Sequence, residues 1–275
     1  MSLKLSLYKQ QIADLYSRRS PTYDQSQWHH KIARRLVECA QIQPGQTVLD
    51  LATGTAMAAI AAAEIVGDGG RVVGVDISAG MLERAAKSIQ ALGIENIQLH
   101  LADAETFVLP DKSCDRILCS SALIWMSDLT AALRQWHRFL KPGGLLAFHA
   151  FAETSFVGSL AAQKVAKEYG ISLWMNKPTG TVEKCYNLLA SAGYEAIQIE
   201  PEQYGSYISV DEAKQMWMGF DSPTPGQFPN PFARLSPQQL ERARVELEAE
   251  LKARASDRGV WNDITVFFTV GRKRE

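Results

Sequence analysis

The sequence predicts an α/β fold built on a doubly wound, mostly parallel sheet. Apolar runs of strand length alternate with amphipathic helical segments through the middle of the chain, and several of these runs end on an aspartate. Alternating strands and helices form parallel sheets that carry helices on both faces. The 275 residues are enough for one such domain with an inserted cap.

The first 45 residues predict two helices that precede this core. Apolar positions recur at helical spacing within residues 3–17 and 28–40, and Ile32, Leu36 and Val37 form one stripe of the second helix. We expect residues 1–45 to form a helical lid over a ligand.

The core is expected to span residues 46–202, where strands and helices follow one another. Predicted strands cover 47–52, 71–76, 97–101, 115–120, 144–151 and 194–199, and predicted helices cover 55–66, 79–92, 128–139 and 181–192. Gly93 and Gly193 supply the ends of two of these helices.

Residues 203–258 predict a helical cap inserted before the last strand. The segments from Ser209 to Glu212 and from Ser236 to Gln239 are both capping boxes, so each predicts the start of a helix. We expect residues 259–275 to return to the core with a final strand at 260–270.

Charge and composition exclude several classes of partner. The chain has 29 Lys and Arg against 30 Asp and Glu, a net charge of −1, so no overall positive field attracts nucleic acid. No continuous apolar segment predicts a signal peptide or a membrane helix, and we expect a cytoplasmic protein without integral membrane association. The four cysteines have no C-x-x-C spacing, which favours reduced thiols over disulfides or a metal site.

The stretch from Val48 to Ala56 predicts a nucleoside site. It joins an apolar strand to a turn of small residues, which lets a ligand approach the backbone, and the next strand ends at Asp76, where a carboxylate can bind both ribose hydroxyls. Met57 stands where a dinucleotide fingerprint needs its last glycine, and the chain has no Gly-Lys dipeptide for a P-loop. A phosphate ligand is therefore disfavoured.

These residues resemble motif I of the class I S-adenosylmethionine-dependent methyltransferases. Asp50, Ala52, Gly54 and Ala56 stand at its D-x-G-x-G-x-G positions, and the two alanines keep close approach if neither needs a positive φ. Three further segments match the family in order. They are L-A-D-A-E at 101–105, the acidic turn at 110–115 and L-K-P-G-G at 140–144. The Tyr23-Asp24 pair is similar to the ubiquinone/menaquinone biosynthesis-type members.

The resemblance implies a Rossmann-like sheet of seven strands, with an antiparallel last strand inserted between strands five and six. It implies S-adenosylmethionine as the cofactor, with Asp76 on the ribose and Asp103 on the adenine amino group. The expected cofactor-binding residues are Tyr23, Asp50, Ala52, Thr53, Gly54, Asp76, Ile77, Met81, Asp103, Ala104 and Ser120.

The acceptor is expected to be an apolar small molecule methylated at carbon or oxygen. The segment Cys119–Trp125 lacks the N-P-P-Y or D-P-P-Y sequence that the family's amide and nucleobase N-methyltransferases carry there. Trp125, Trp174 and Trp217 predict a large flat site, such as one for a quinol, terpenoid or polyketide. Where a general base is needed, the candidates are His149, Glu153 and His29.

Two other functions stay open at this stage. One is a protein that binds S-adenosylmethionine without transferring its methyl group. The other is a nicotinamide-dependent oxidoreductase, because Thr53-Gly54 begins a T-G-x-x-x-G-x-G pattern, although Ala58 and Ile60 replace its later glycines. Both a monomer and a homodimer are compatible with the sequence.

Overall fold

The computed structural model describes residues 5–25, 27–173, 176, 178–216, 232 and 235–275. The strands are β1 (Thr47–Leu51), β2 (Arg71–Asp76), β3 (Ile97–Leu101), β4 (Cys114–Cys119), β5 (Leu140–Phe151), β6 (Glu195–Gln203), β7 (Ser206–Ile208), β8 (Ala255–Ser256), β9 (Gly259–Asn262) and β10 (Thr265–Arg272). The helices are α1 (Leu7–Arg19), α2 (Gln27–Cys39), α3 (Met57–Val66), α4 (Ala79–Ala91), α5 (Leu129–Phe139), α6 (Val157–Glu168), α7 (Val182–Ser191), α8 (Val210–Met216) and α9 (Pro237–Ala253).

Seven strands form the main sheet in the order β3-β2-β1-β4-β5-β10-β6. Strands β1 to β5 pair in parallel, and β10 pairs antiparallel with both β5 and β6. The predicted fold class is confirmed, including the antiparallel last strand between the fifth and sixth. The chain builds the sheet from β1 outward in one direction to β3 and then continues on the other side of β1 with β4, so the strand order reverses at β1. In open α/β sheets, ligands bind beside such a reversal.

Strand β1 is central because both of its faces are buried. Val48 joins the apolar cluster under α2 and α3, whereas Leu49 and Leu51 join the cluster on the opposite face of the sheet. Along a strand, successive side chains point to opposite faces. A continuous apolar run is therefore what a strand covered on both sides requires.

The two N-terminal helices lie against different helices of the core. Ser6 caps α1, accepting a hydrogen bond from the Lys9 amide, and α1 packs on α4 while α2 packs on α3. The observed α1 begins and ends a few residues later than the predicted helix at 3–17.

The inserted segment packs with a helix that the sequence analysis did not predict. Helices α6, α8 and α9 share a third apolar cluster that contains Ala161, Leu247 and Phe232. Strands β7, β9 and β8 form a small antiparallel sheet beside it, which was also not predicted.

The prediction of one final strand at 260–270 is wrong. Residues Gly259–Asn262 belong to the small sheet and Thr265–Arg272 to the main sheet. At the break between the two strands, two side chains make hydrogen bonds to the segment that follows β5. The Asn262 Oδ1 accepts a hydrogen bond from the Val157 amide at 3.0 Å, and the Asp263 carboxylate accepts one from the Thr154 hydroxyl at 2.6 Å.

All four cysteines carry free thiols. Among the described helices, none is both long and apolar enough to cross a membrane.

Candidate active site

A cleft opens at the carboxyl ends of β1, β2, β3 and β4 and is covered by the N-terminal helices. It brings together most of the residues that the sequence predicted for the cofactor. The lining residues are Lys9, Ile12, Tyr16, Tyr23, Ala52, Gly54, Asp76, Ile77, Met81, Asp103, Ala104, Ser120, Ser121, Ala122, Trp125 and Met126.

The turn after β1 has a left-handed backbone at three alternate positions. The φ angles are 56° at Ala52, 58° at Gly54 and 69° at Ala56. The condition that the two alanines avoid positive φ is therefore not met, and both carry the strain that a Cβ causes in this region. Gly54 has no heavy atom within 4 Å of where a Cβ would stand, so its backbone faces open space in the cleft.

Asp76 fixes this turn to the end of β2. One carboxylate oxygen accepts the Gly54 amide at 2.8 Å and the other accepts the Ser78 amide at 2.8 Å. Burial raises the pKa of Asp76 to about 6, against the lowering effect of these amide hydrogen bonds. Each oxygen of a carboxylate can accept a second hydrogen bond, so Asp76 can still receive two hydroxyls from the cleft.

Asp50 and Thr53 lie behind the turn and do not line the cleft. The Asp50 side chain is fully buried and accepts the Thr53 hydroxyl at 2.6 Å. Burial raises the pKa of Asp50 to about 7. The structure therefore places these two predicted cofactor residues where they brace the turn from inside.

Asp103 is reached by a lysine that the sequence analysis missed. Lys9 of α1 is buried and its Nζ lies 3.2 Å from the Asp103 carboxylate, and it also pairs with Glu105. The adjacent Ala104 is 5% exposed, and its carbonyl accepts the Trp136 indole N–H. Asp103 and Ala104 both line the cleft, and α1 is held over them by this ion pair.

Aromatic side chains close the cleft opposite the glycine turn. The Trp125 indole donates to the Tyr16 hydroxyl at 2.9 Å, and the Arg19 guanidinium lies 5.2 Å from the ring centre of Tyr16 and 5.6 Å from that of Tyr23. Arg19 therefore already supplies a cation to the faces of both tyrosine rings.

His29 stacks on the far side of Tyr23. The two ring centres are 4.6 Å apart and nearly parallel, and His29 itself does not line the cleft. Burial, followed by the charge of Arg19, lowers the pKa of His29 to about 4. The imidazole is therefore neutral at physiological pH.

His149 lies one layer behind the cleft wall. It is 1% exposed, its Nε2 is 2.6 Å from the Ser121 hydroxyl and its Nδ1 is 3.4 Å from the Ser120 hydroxyl. Burial, with a smaller contribution from His29, lowers the pKa of His149 to about 3. Both serines line the cleft, and the analysis of the sequence missed Ser121, which no local pattern marks.

Glu153 lies away from the cleft. Its side chain is exposed and pairs with Lys184 at 2.8 Å. Strand β5 ends at Phe151, and the chain then turns so that Glu153 faces α7. The structure therefore does not bring this candidate base to the site.

Of the three tryptophans predicted for the acceptor, Trp125 lines the cleft, whereas Trp174 and Trp217 lie outside the described residues. The same described part of the chain contains no group of His, Cys, Asp or Glu side chains that could hold a metal ion.

The cleft fits a nucleoside better than a phosphate ester. Beside the turn that follows β1, its polar groups are the backbone of Gly54 and the carboxylate of Asp76. The apolar side chains of Ile77 and Met81 lie next to them. A carboxylate accepts hydroxyl donors and repels phosphate. The residues present therefore suit the ribose and adenine of S-adenosylmethionine.

Comparisons with known proteins agree with this geometry. The family model described as Methyltransferase domain matches residues 48–144. The chain is 33% identical over 195 residues to a ubiquinone/menaquinone biosynthesis C-methyltransferase from Pectobacterium carotovorum, which covers 70% of this chain and 74% of that protein. It is 37% identical over 145 residues to the aklanonic acid methyltransferase of Streptomyces sp. (strain C5), covering 52% of this chain and 66% of that protein.

Solved structures share the fold at low sequence identity. The YcgJ protein of Bacillus subtilis superposes with a TM-score of 0.62 at 19% identity, covering 90% of this chain and 99% of that one. Phosphoethanolamine N-methyltransferase 2 of Haemonchus contortus, in complex with S-adenosyl-L-methionine, has a TM-score of 0.53 at 18% identity, covering 90% of this chain and 52% of that one.

Proposed function

The chain belongs to the class I S-adenosylmethionine-dependent methyltransferases, and from this we propose that it methylates carbon or oxygen of an apolar small molecule of quinol, terpenoid or polyketide type. The main observation behind the proposal is that the cleft has a polar side and an apolar side. Asp76 and the Gly54 backbone make a nucleoside side, whereas Ala122, Trp125 and Met126 make an apolar side.

The relatives support this acceptor class. One is named for aklanonic acid and others for ubiquinone, menaquinone or demethylmenaquinone. By their names, these relatives act on small molecules. The net charge of −1 gives this chain no general attraction for nucleic acid, in keeping with a small acceptor. Light scattering would distinguish a monomer from a homodimer.

We assign the cofactor contacts by chemistry. The Asp76 carboxylate would accept the ribose hydroxyls, Ile77 and Met81 would flank the adenine, and Asp103 would accept from the adenine amino group. The Gly54 backbone would let the nucleoside approach closely. When bound, S-adenosylmethionine supplies an electrophilic methyl group on a sulfonium sulfur.

The remaining task of the protein is alignment and exclusion of water. Tyr16 and Tyr23 of the N-terminal segment close the cleft together with Trp125, which would help to exclude water. The proposed cap at residues 203–258 would cover the acceptor side, since its helices α8 and α9 pack on α6, which follows β5 directly.

Calorimetry and methyl transfer test this function. We expect wild-type protein to bind S-adenosylmethionine and not NAD. With the tritiated cofactor, we expect label to enter 1,4-dihydroxynaphthalene or aklanonic acid more than small polar acids and amines.

The possible results distinguish the proposed function from its alternatives. Binding without transfer to any acceptor would favour a cofactor-binding protein, and preference for NAD would favour an oxidoreductase. Transfer to polar amines alone would overturn the apolar acceptor class.

A further inference from the structure

The buried side chain of His149 joins two hydroxyls of the cleft wall. Its ring packs near the rings of Phe151 and Phe268, whose centres are 5.5 and 6.0 Å away. Among the described residues, its Nε2 lies 2.6 Å from the Ser121 hydroxyl and its Nδ1 lies 3.4 Å from the Ser120 hydroxyl. The imidazole therefore packs against apolar rings, and its two nitrogens lie at unequal distances from two serine hydroxyls.

A neutral imidazole has one N–H and one lone pair. Burial keeps His149 neutral by lowering its pKa to about 3, far from the value near 7 that suits a general base. Since it stays neutral, the ring must accept a hydrogen bond from one serine and donate to the other.

The unequal distances favour one of the two tautomers of His149. A separation of 2.6 Å is typical of a hydroxyl that donates to a strong acceptor, so we assign the lone pair to Nε2 and the N–H to Nδ1. The Ser121 proton is then committed to His149, and the Ser121 oxygen presents only lone pairs to the cleft. The Ser120 oxygen receives the Nδ1 proton, which leaves its own O–H free to donate.

The backbone of Ser121 supports a functional reading of this arrangement. Its φ is 58°, in the region that side chains other than glycine rarely occupy, and such strain is often kept where a side chain must point in one direction.

Resting on the proposed function, we propose that Ser121 is a specificity-determining residue that accepts a hydrogen bond from a hydroxyl of the methyl acceptor. His149 is the positioning residue that makes Ser121 an obligate acceptor. The substrate class is therefore narrowed to apolar molecules with a phenolic or enolic hydroxyl, in preference to their ethers or fully oxidised quinones.

A matched pair of probes tests the proposal by binding alone, without methyl transfer. In the presence of S-adenosylhomocysteine, binding of 1,4-dihydroxynaphthalene and of 1,4-dimethoxynaphthalene is measured by anaerobic calorimetry on the full chain. We expect wild type to prefer the dihydroxy probe, and Ser121→Ala to lower that preference on the order of 10-fold or more. Ser191→Ala, which removes an exposed hydroxyl at the end of α7, is the control and should leave the preference unchanged.

Further variants separate the role of His149 from folding. Ser121→Gly removes the hydroxyl and relieves the positive φ, so it should lose the preference while remaining folded. His149→Gln keeps an acceptor atom and should retain much of the preference, whereas His149→Leu should lose it.

The outcomes distinguish this inference from the proposed function. If methyl transfer to apolar acceptors is intact but Ser121→Ala and Ser121→Gly keep the wild-type preference, the inference is overturned and the function is not. If wild type binds neither probe, the inference is overturned, and a failed transfer screen would then remove the function as well.

Discussion

At the residue scale, the turn after β1 holds two alanines in the left-handed region. Ala52 and Ala56 have φ angles of 56° and 69°, and a Cβ in this conformation costs roughly 1–2 kcal/mol per residue. The fold must offset this cost because the turn sets the path of the backbone around Gly54. Glycine at either position would keep the path without the strain.

We expect Ala52→Gly to raise the free energy of unfolding by about 1 kcal/mol, because the strain at Ala52 exceeds the entropy that glycine loses on folding. Urea unfolding measures the change. Ala58→Gly, in α3 and 3% exposed, is the control and should lower stability by about 1 kcal/mol. If both variants lose stability equally, the left-handed backbone at Ala52 is not strained.

Cofactor binding should depend on pH through Asp76. In the proposed site the ionised carboxylate would accept the ribose hydroxyls, and burial raises its pKa to about 6. Protonation removes acceptor capacity, so affinity should be constant above this pKa and fall below it, by about tenfold at pH 5. Calorimetry at pH 5 to 8 measures the profile.

Asp76→Ala is the matched variant for this profile. It should bind S-adenosylmethionine about 1–3 kcal/mol more weakly, through lost hydrogen bonds to the ribose, and lose the fall below pH 6. Asp50, with a pKa raised to about 7, lies behind the turn, so a fall centred near 7 in both proteins would assign the titration to Asp50 instead.

At the scale of elements, α1 is held over the cleft by one buried cation. Lys9 reaches Asp103 and Glu105, and all three side chains are about a tenth exposed or less. Removing one partner of a buried pair leaves uncompensated charge, which is strongly destabilising. Lys9 therefore contributes to the docking of α1 together with the buried apolar side chains Ile12, Ala13 and Leu15.

Lys9→Met should loosen α1 without unfolding the sheet. We expect amide hydrogen exchange in residues 7–19 to accelerate at least tenfold, while β1 and β4 stay protected. Lys87→Met is the control, because the Lys87–Glu83 pair is exposed and such pairs contribute little. Equal exchange in both variants would mean that the Lys9 pairs do not hold α1.

The elements that the sequence predicted are those with a local signal. Strands β1 and β2 are continuous apolar runs, and α4 and α9 begin at the caps Ser78 and Ser236. Helix α6 lacks such a signal, because its N-cap Phe156 has a left-handed φ of 67° and no side-chain hydrogen bond. The short strands of the small sheet are too brief for any periodicity to show.

The site residues divide in the same way. Asp76, Asp103 and Ser120 stand at strand ends, a position that sequence spacing reveals. Lys9 is 94 residues from Asp103 along the chain, and Ser121 is 28 residues from His149, so only the tertiary fold brings them together. Glu153 is close to the end of β5 along the sequence, which led to its prediction as a site residue. The chain turns after Phe151, however, so that the Glu153 side chain pairs with Lys184 of α7 and not with the cleft.

At the scale of the whole molecule, the cleft and the cap are built from different packing units. The lining residues come from segments 9–23 and 52–126, whereas the third apolar cluster joins α6, α8 and α9. The two units meet through α6, which follows β5, and through β9, which precedes β10. Cofactor binding and acceptor coverage should therefore be separable by mutation.

Leu247→Ala tests this separation. Leu247 is 4% exposed in α9, so the substitution should cost the cap about 2–4 kcal/mol through a cavity, seen as faster hydrogen exchange in α6 and α9. Because no described cap residue lines the cleft, S-adenosylmethionine affinity should stay within threefold of wild type while methyl transfer to the apolar acceptor falls. Val245→Ala, on the same helix but 62% exposed, should change neither. A parallel loss of cofactor affinity in Leu247→Ala would mean that the cap and the cofactor side form one cooperative unit.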